Sequence, residues 1–559
     1  MSTDYDFTLE QKLHTYVASD ALPMHMPGHK RNSGVFHMSA LQDIDITEIH
    51  GFDDLHDPSG ILKDSQSAAA ALYGADQSFY LVNGSTAGIL AGISACVKPG
   101  DRILMARNCH LSVYHAVILN ALRPEYIYPP VHPDYGFAGS IEPREIEAAL
   151  AAAEQAGEQY ALVVVTSPSY EGVLSDIRQI SEICHAYNVP LVVDEAHGAH
   201  LSAERKETET EESCSGKIAF GERSGTESRN EETVAETGTV AAAETVAAAE
   251  TVTEAGIVLP HFPSSAISLG ADIVIQSLHK TLPAPTQTGI LHSRRGYVKP
   301  EKIKQYLDFY QTSSPSYVLL CGIENALRFR SRPDWDREWL ENLDYFYKRT
   351  ENLKALRIIP PGGAGVFFDR DPSKIVISAA GTGHTGNELM TVLREEYNIE
   401  TEMAAGSYVI AMTGAGDTRE SVERLAEALE EIDAGWTGGV NTVLKYNTGN
   451  CAAEKPAFTA GTSLSRDTAF SRSSAHPEAV SVPAAAFHSS CEPVPLRAAA
   501  GRIAHDIVTV YPPGIPLTVP GEKVTDSIIQ AIVHAINDRL HVTGMTEKDG
   551  EPAVPVIRD

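Results

Sequence analysis

Lys280 stands in the segment SLHKT, directly after the apolar run ADIVIQS. A lysine at the carboxyl end of a buried parallel strand sits where α/β sheets hold their ligands, and its amine can condense with a carbonyl group. By itself it reads as a surface lysine. Asp194 opens DEAHGAH, directly after PLVV. A strand-end carboxylate can pair with a protonated ring nitrogen, or simply cap the next turn. NGSTAG, Asn83 to Gly88, offers glycines that let backbone approach an anion, the hydroxyls of Ser85 and Thr86, and the start of a helical pattern. A helix N-terminus favours negative charge. Alone, this loop is equally an ordinary helix cap.

Together the three are far more specific. A phosphate loop, a strand-end Asp some 110 residues later and a strand-end Lys about 85 residues beyond that fit one pocket. The chemistry they suit is that of pyridoxal phosphate (PLP): an amine to hold it, an acid for its ring nitrogen, a cradle for its phosphate.

These residues need a sheet to bring them together, and the patterns supply one. Residues 60–200 alternate helical and strand-like segments. Helical patterns run over Ser65–Tyr73, from NGSTAG to Val97, and over Leu111–Leu122 and Glu142–Ala156. Strand-like runs cover Ser78–Val82, Arg102–Ala106, Tyr160–Thr166 and Pro190–Val193. Continuous apolar strands separated by helices imply a mainly parallel sheet covered on both faces, an α/β large domain over 60–295. Residues 202–256, with the repeat ETVAAAETVAAAETV, are acidic and low in large apolar residues, and read as an insertion. Residues 296–435 read as a small α+β domain, 436–486 as a low-complexity linker and 487–559 as a C-terminal module. Residues 1–59 remain as an N-terminal arm.

The chain has 559 residues and a formal net charge of −30. That acidity argues against nucleic acid and against anionic membrane surfaces as partners. No apolar run approaches the roughly 20 residues that span a bilayer. The start lacks a basic region followed by an apolar one, so no secretory signal is expected. Seven dispersed cysteines without a C-x-x-C pair suggest neither a disulfide framework nor a metal site, and fit a reducing cytoplasm.

The constellation resembles the fold-type I PLP enzymes, the aspartate aminotransferase superfamily. More narrowly, HMPGHKR (25–31), DITEIHGFDDLHDPSG (45–60), FYLVNGSTAG (79–88), RNCH (107–110), TSPSYEGV (166–173), DEAHGAH (194–200), GADIVIQSLHKTL (270–282) and YPPGIPLTVPGE (511–522) look like the ornithine/lysine/arginine decarboxylase family, in its short bacterial form. The resemblance implies decarboxylation of a basic amino acid, with arginine favoured over lysine or ornithine. It implies that Lys280 binds PLP covalently, that Asp194 pairs with the ring nitrogen and that His110 stacks on the ring. Ser85, Thr86, Ser277 and His279 would bind the phosphate, with Ala196 and His197 beside the ring.

Glu522 is the first candidate for the substrate's distal cation and Glu402 the second. Sites of this fold type resemble pockets shared by two subunits, so a homodimer or higher oligomer is expected, with Thr286 and Gln287 able to reach a neighbour's phosphate. His29, His197 and His279 each have a purely structural alternative. The chain departs from the family pattern at Leu111, Glu171 and Asp506. The competing enzymatic reading, an aminotransferase or lyase, would want a C-terminal-domain arginine for the substrate carboxylate, for which Arg394 is available. A silent binding homologue is the reading from outside catalysis.

Overall fold

The computed structural model describes residues 8–18, 41–201, 251–252, 258–259, 262–363, 365–437, 477–511, 514–537 and 540–558. The HMPGHKR block with His29, nearly all of the acidic insertion, most of the 436–486 stretch, and Pro512 and Pro513 lie outside them.

Seven strands build the central sheet: β1 (Gln77–Leu81), β2 (Arg102–Ala106), β3 (Arg123–Ile127), β4 (Leu162–Thr166), β5 (Leu191–Asp194), β6 (Ile273–Gln276) and β7 (Gly289–Ser293). Their order across the sheet is β1-β7-β6-β5-β4-β2-β3. Neighbours from β6 to β3 run parallel, and β7 is antiparallel to both β6 and β1. The residues of β5 and β6 are buried throughout, as continuous apolar parallel strands require.

The flanking helices follow their sequence signals. Ile61–Tyr73 begins four residues before the expected Ser65 and stops where Gly74 turns left-handed at φ +71°, its amide reaching back to Ala70 and Ala71 carbonyls. Gly84–Cys96 is apolar on nearly every side and is buried accordingly. It lies close on the sheet because Gly88 has no side chain: a Cβ there would meet Leu81 Cδ1 at 2.6 Å and Ile275 Cγ2 at 3.0 Å. The helices Pro300–Tyr310 and Tyr317–Arg330, expected with the small domain, insert Ile303, Leu307, Tyr317 and Leu320 into the core of the large sheet.

The small domain pairs Arg357–Ile358, Lys374–Ser378, Tyr408–Met412 and Met403–Ala405 in one antiparallel sheet. Helices Arg337–Thr350, Gly386–Tyr397 and Arg419–Thr437 accompany it. Its own core includes Trp339, Phe346, Ile375, Val409 and Leu429. A two-residue ladder, Val173–Leu174 with Asp369–Arg370, stitches the small domain to the turn after β4. In the C-terminal module two three-stranded sheets and the helix Asp526–Asn537 enclose Val508, Ile532, Val554 and Val556. Among the described residues no helix is long and apolar enough to cross a membrane.

Gly289 on β7 holds two backbones close. A Cβ there would meet the Gln276 carbonyl oxygen at 2.8 Å and the Ser85 amide nitrogen at 3.4 Å. Gly289→Ala is expected to lower the urea midpoint, at a cost of about 1–3 kcal/mol, because neither neighbour is a flexible side-chain end. An unchanged midpoint would mean that the β6–β7 spacing yields freely.

Candidate active site

Asp194 is the last residue of β5, and Lys280 ends the short 3-10 turn Leu278–Lys280 that follows β6. The parallel register sets Asp194 opposite Ile275. Past the strands the zipper continues: Glu195 donates its amide to the Ile275 carbonyl at 2.9 Å, and Ser277 donates to the Ala196 carbonyl at 3.3 Å. The DEAHGAH loop and the SLHKT turn are therefore tied to each other, and Asp194 and Lys280 share one buried region. Asp194 is 2% exposed, and its Oδ1 accepts the Ala196 amide at 3.1 Å. Burial raises its carboxyl above the usual range, with the nearby Lys280 amine opposing. Burial lowers the Lys280 amine; Asp194 and Glu402 oppose that shift and Lys374 adds to it.

Lys280 Nζ lies 2.8 Å from His197 Nε2. The ring of Tyr170 borders both, 4.6 Å from the His197 ring and 5.9 Å from Lys280 Nζ. His110 caps the helix Leu111–Leu119, its Nδ1 accepting the Ser112 amide at 3.2 Å. Burial, with Lys280 and His115 adding, pushes its imidazole down to about 4. Lys280, Asp194, His110, Ala196 and His197, singled out in the sequence, are thus gathered at the carboxyl end of the sheet.

The phosphate candidates gather beside them. Ser85 and Thr86 occupy the first turn of Gly84–Cys96, and Gly84 at φ +73° donates its amide to the Gln287 carbonyl at 2.8 Å. Gln287 returns Nε2 to the Val82 carbonyl at 2.7 Å. The Leu278 amide bonds the Thr288 carbonyl, and His279 Nδ1 lies 2.8 Å from the same oxygen. The hydroxyls of Ser277 and Thr281 are buried without a partner. So is Nδ1 of His197. Orphaned buried donors beside a helix N-terminus are the features a phosphate-bearing polar ring would satisfy, so these residues fit PLP. Thr286 and Gln287 form an exposed turn at the edge of this cradle. Among the described residues no group of His, Cys, Asp and Glu could hold a metal ion.

The two substrate candidates part company. Glu402, on the small domain, is exposed and accepts a short hydrogen bond from the Tyr170 hydroxyl, close enough to Lys280 to act on its charge. Glu522 is 1% exposed and is paired with Arg107 Nη2 at 3.3 Å, and it accepts the Val519 amide at 3.0 Å. Arg107 also donates to the Pro516 and Leu517 carbonyls and to the Tyr114 hydroxyl. Glu522, the first candidate for the distal cation, thus has its Oε1 buried without a partner and its Oε2 taken up in a buried ion pair with an arginine of the same chain. The effect of that pair is to seat the segment 514–522 under the His110 turn, where Leu111 donates to the Gly514 carbonyl at 3.0 Å. Arg394 is half-exposed and paired with the exposed Glu400 at 2.9 Å. Glu171 is buried, accepting from Ser169 Oγ and Tyr408 Oη at 3.0 Å each, and Asp506 lies beside His505 in the C-terminal module.

Sequence reasoning passed over Tyr170, Arg107, Thr281 and Lys374. Tyr170, Arg107 and Thr281 lie inside blocks that carried the resemblance, so a signal existed. Lys374 begins the strand KIVIS and reads there as an unremarkable polar end.

A strand-end Asp and Lys on adjacent parallel strands, a helix-start cradle and an imidazole against the lysine define the class: an α/β enzyme of fold-type I, built for PLP. The solved lysine decarboxylase LdcF of Francisella novicida superposes with TM-score 0.76, covering 99% of this chain and 82% of its own at 19% identity. The model of the Orn/Lys/Arg decarboxylase major domain matches residues 8–215 and 252–357, and that of the C-terminal domain matches 466–540. This chain belongs to the Orn/Lys/Arg decarboxylase family. The arginine decarboxylase of Bacillus subtilis strain 168 is 28% identical over 97% of this chain and 96% of its own. The uncharacterized protein YaaO of the same strain is 30% identical over 93% and 92%.

Four imidazoles, three of them buried and His110 partly so, share one sign of shift. His110 is pushed to about 4 and His292 to about 3, and His197 and His200 are also lowered, in each case chiefly by burial. An unfolded histidine takes its proton near pH 6.5, before these do. Their contribution to stability is therefore complete above about pH 6.5 and is lost as pH falls through the folded values. These imidazoles alone pull denaturation midpoints down between about pH 7 and about pH 5, while Glu195, raised to about 7 by burial, and the raised Asp194, Glu171 and Glu522 pull the other way. His110→Phe, which removes one such ring, should weaken that downward pull; an unchanged slope would mean His110 titrates alike in both states.

Proposed function

We propose that this chain decarboxylates arginine to the corresponding amine and CO2, with PLP bound covalently to Lys280. The observation that carries this reading is the 2.8 Å contact of Lys280 Nζ with His197 Nε2, made beside the buried Asp194 and within the influence of His110. Ser85, Thr86, Ser277 and His279 would hold its phosphate, Asp194 its ring nitrogen, and Ala196, His197 and His110 would lie beside its ring. When bound, PLP supplies the electron sink for the pair left by the departing carboxylate.

The protein's own groups do the rest. Asp194, buried and bonded to the Ala196 amide, is preorganised to stabilise positive charge opposite it. Lys280 and His197 are the candidate sources of the proton that Cα takes up, one for each CO2 released. Glu402 is the carboxylate for the distal cation, reaching the pocket through Tyr170. A planar guanidinium can engage a carboxylate in two parallel hydrogen bonds, whereas an ammonium makes a point contact. Together with the full-length arginine decarboxylase relatives, this favours arginine. A second copy of the chain, completing the site over the exposed Thr286–Gln287 turn, is part of the same reading.

The test is CO2 release from carboxyl-labelled arginine, lysine and ornithine with added PLP. Arginine should exceed the others by at least about tenfold, one carboxylate contact's worth of discrimination, and Lys280→Ala should abolish release. Protein that keeps the visible absorbance of lysine-bound cofactor yet releases no CO2 would refute the assignment. Glu402→Gln should raise KM for arginine by about 10–100-fold with a smaller effect on kcat. A variant with wild-type KM would remove Glu402 from the substrate pocket.

A further inference from the structure

A lysine that no step above uses is buried behind the site. Lys374 is fully buried, and its ammonium makes three contacts, to Asp371 Oδ2 at 3.0 Å, Ser373 Oγ at 2.9 Å and the His197 carbonyl at 3.4 Å. The first two lie within its own turn. The third is on the DEAHGAH loop of the large domain. Asp371 makes a second grip on that loop: its Oδ1 lies 3.2 Å from His200 Nε2. One buried ion pair of the small domain thus holds His197 by its backbone and His200 by its ring. The approach is close: Gly172, at φ +86°, would place a Cβ 2.9 Å from Lys374 Cβ. The Asp371 amide bonds the Gly172 carbonyl at 2.9 Å.

A buried ion pair adds little stability over a packed apolar pair, and its better-attested effect is to hold one arrangement among several. We propose that Lys374 is a positioning residue for Lys280: its ammonium, anchored by Asp371, fixes the His197 backbone so that Nε2 of His197 meets Nζ of Lys280, and it sets a positive charge behind that pair. This rests on the reading of Lys280 as the reactive amine. Among the described residues the charged and titratable groups around the pair are Asp194 from the end of β5, His110 from its helix cap, Tyr170 from the turn after β4, and Glu402, Asp371 and Lys374 from the small domain. Lys374 is the one cation among them besides Lys280 itself. Its influence disfavours a charged Lys280 and a charged His197 alike.

The experiment uses the full chain without cofactor. Lys280 is labelled with an amine-reactive sulfonate across a range of pH, and its peptide is quantified by mass spectrometry. Two variants remove both charges together, so that no lone ion is left buried: Asp371→Asn with Lys374→Gln, which keeps hydrogen-bonding groups, and Asp371→Asn with Lys374→Met, which does not. The folded Met variant, which releases the His197 carbonyl, should shift the labelling profile so that the Lys280 rate at neutral pH differs from the wild type by about threefold to tenfold, and the Gln variant should shift it less.

A folded Met variant that labels along the wild-type profile would overturn the proposal. Failure of both variants to fold would overturn it too, by making the pair a requirement of folding. Labelling does not depend on turnover, so a chain that releases no CO2 would refute the function above and leave this test intact.

Discussion

The parallel pairing of β5 with β6 is the constraint on which the site depends. It sets Asp194 against Ile275, and the two backbone bonds beyond it, Glu195 to Ile275 and Ser277 to Ala196, carry the alignment past the strand ends. The loop with His197 and the turn with Lys280 leave the sheet already in contact. Because both strands are buried throughout, a slip of one residue would put strand-end polar groups into the core, so the register is strongly specified. The opposite charges of Asp194 and Lys280 then lie away from water, where burial pushes both toward neutrality and their mutual attraction opposes it.

Two further units reach this site, each through a buried ion pair. The small domain enters with Asp371 and Lys374, the C-terminal module with Glu522 against Arg107. Neither pair is a bargain in stability, because desolvation opposes the Coulombic gain. Both are geometrically demanding, since a displaced partner leaves a charge buried alone. Each seats its unit in one position, the first behind His197 and the second beneath His110. Residues 171–174 serve the same joint in backbone terms, through the Val173–Leu174 ladder and the buried Glu171 carboxylate that Tyr408 grips from the small domain.

The strands of the large sheet were legible because a parallel strand covered on both faces is apolar without interruption, and LVVV and PLVV can be little else. Helix ends were legible where glycine marked them, as at Gly74. Ile61 was passed over because its helix opens on Gly60 without a side-chain cap, which leaves no N-terminal signal. Residues 300–330 fall within the stretch read as the small domain yet pack on the large core, because sequence pattern says that a face is buried and not against what.

At the site, the types of the reacting groups were determined by the sequence alone: a lysine and an aspartate after consecutive apolar runs, and a glycine-hydroxyl loop at a helix start. Local order suffices there, since strand ends of a parallel sheet converge on one edge whatever else the chain does. The engagement of the carboxylates was decided only by tertiary structure. Glu522 and Glu402 are each a lone acid in sequence, and nothing local distinguishes them. Packing does, because Arg107 lies 415 positions before Glu522 and closes on it, while Glu402 is exposed and accepts from the Tyr170 hydroxyl. Lys374 is the same case in reverse, a strand-end lysine whose burial and partners exist only once two domains have met.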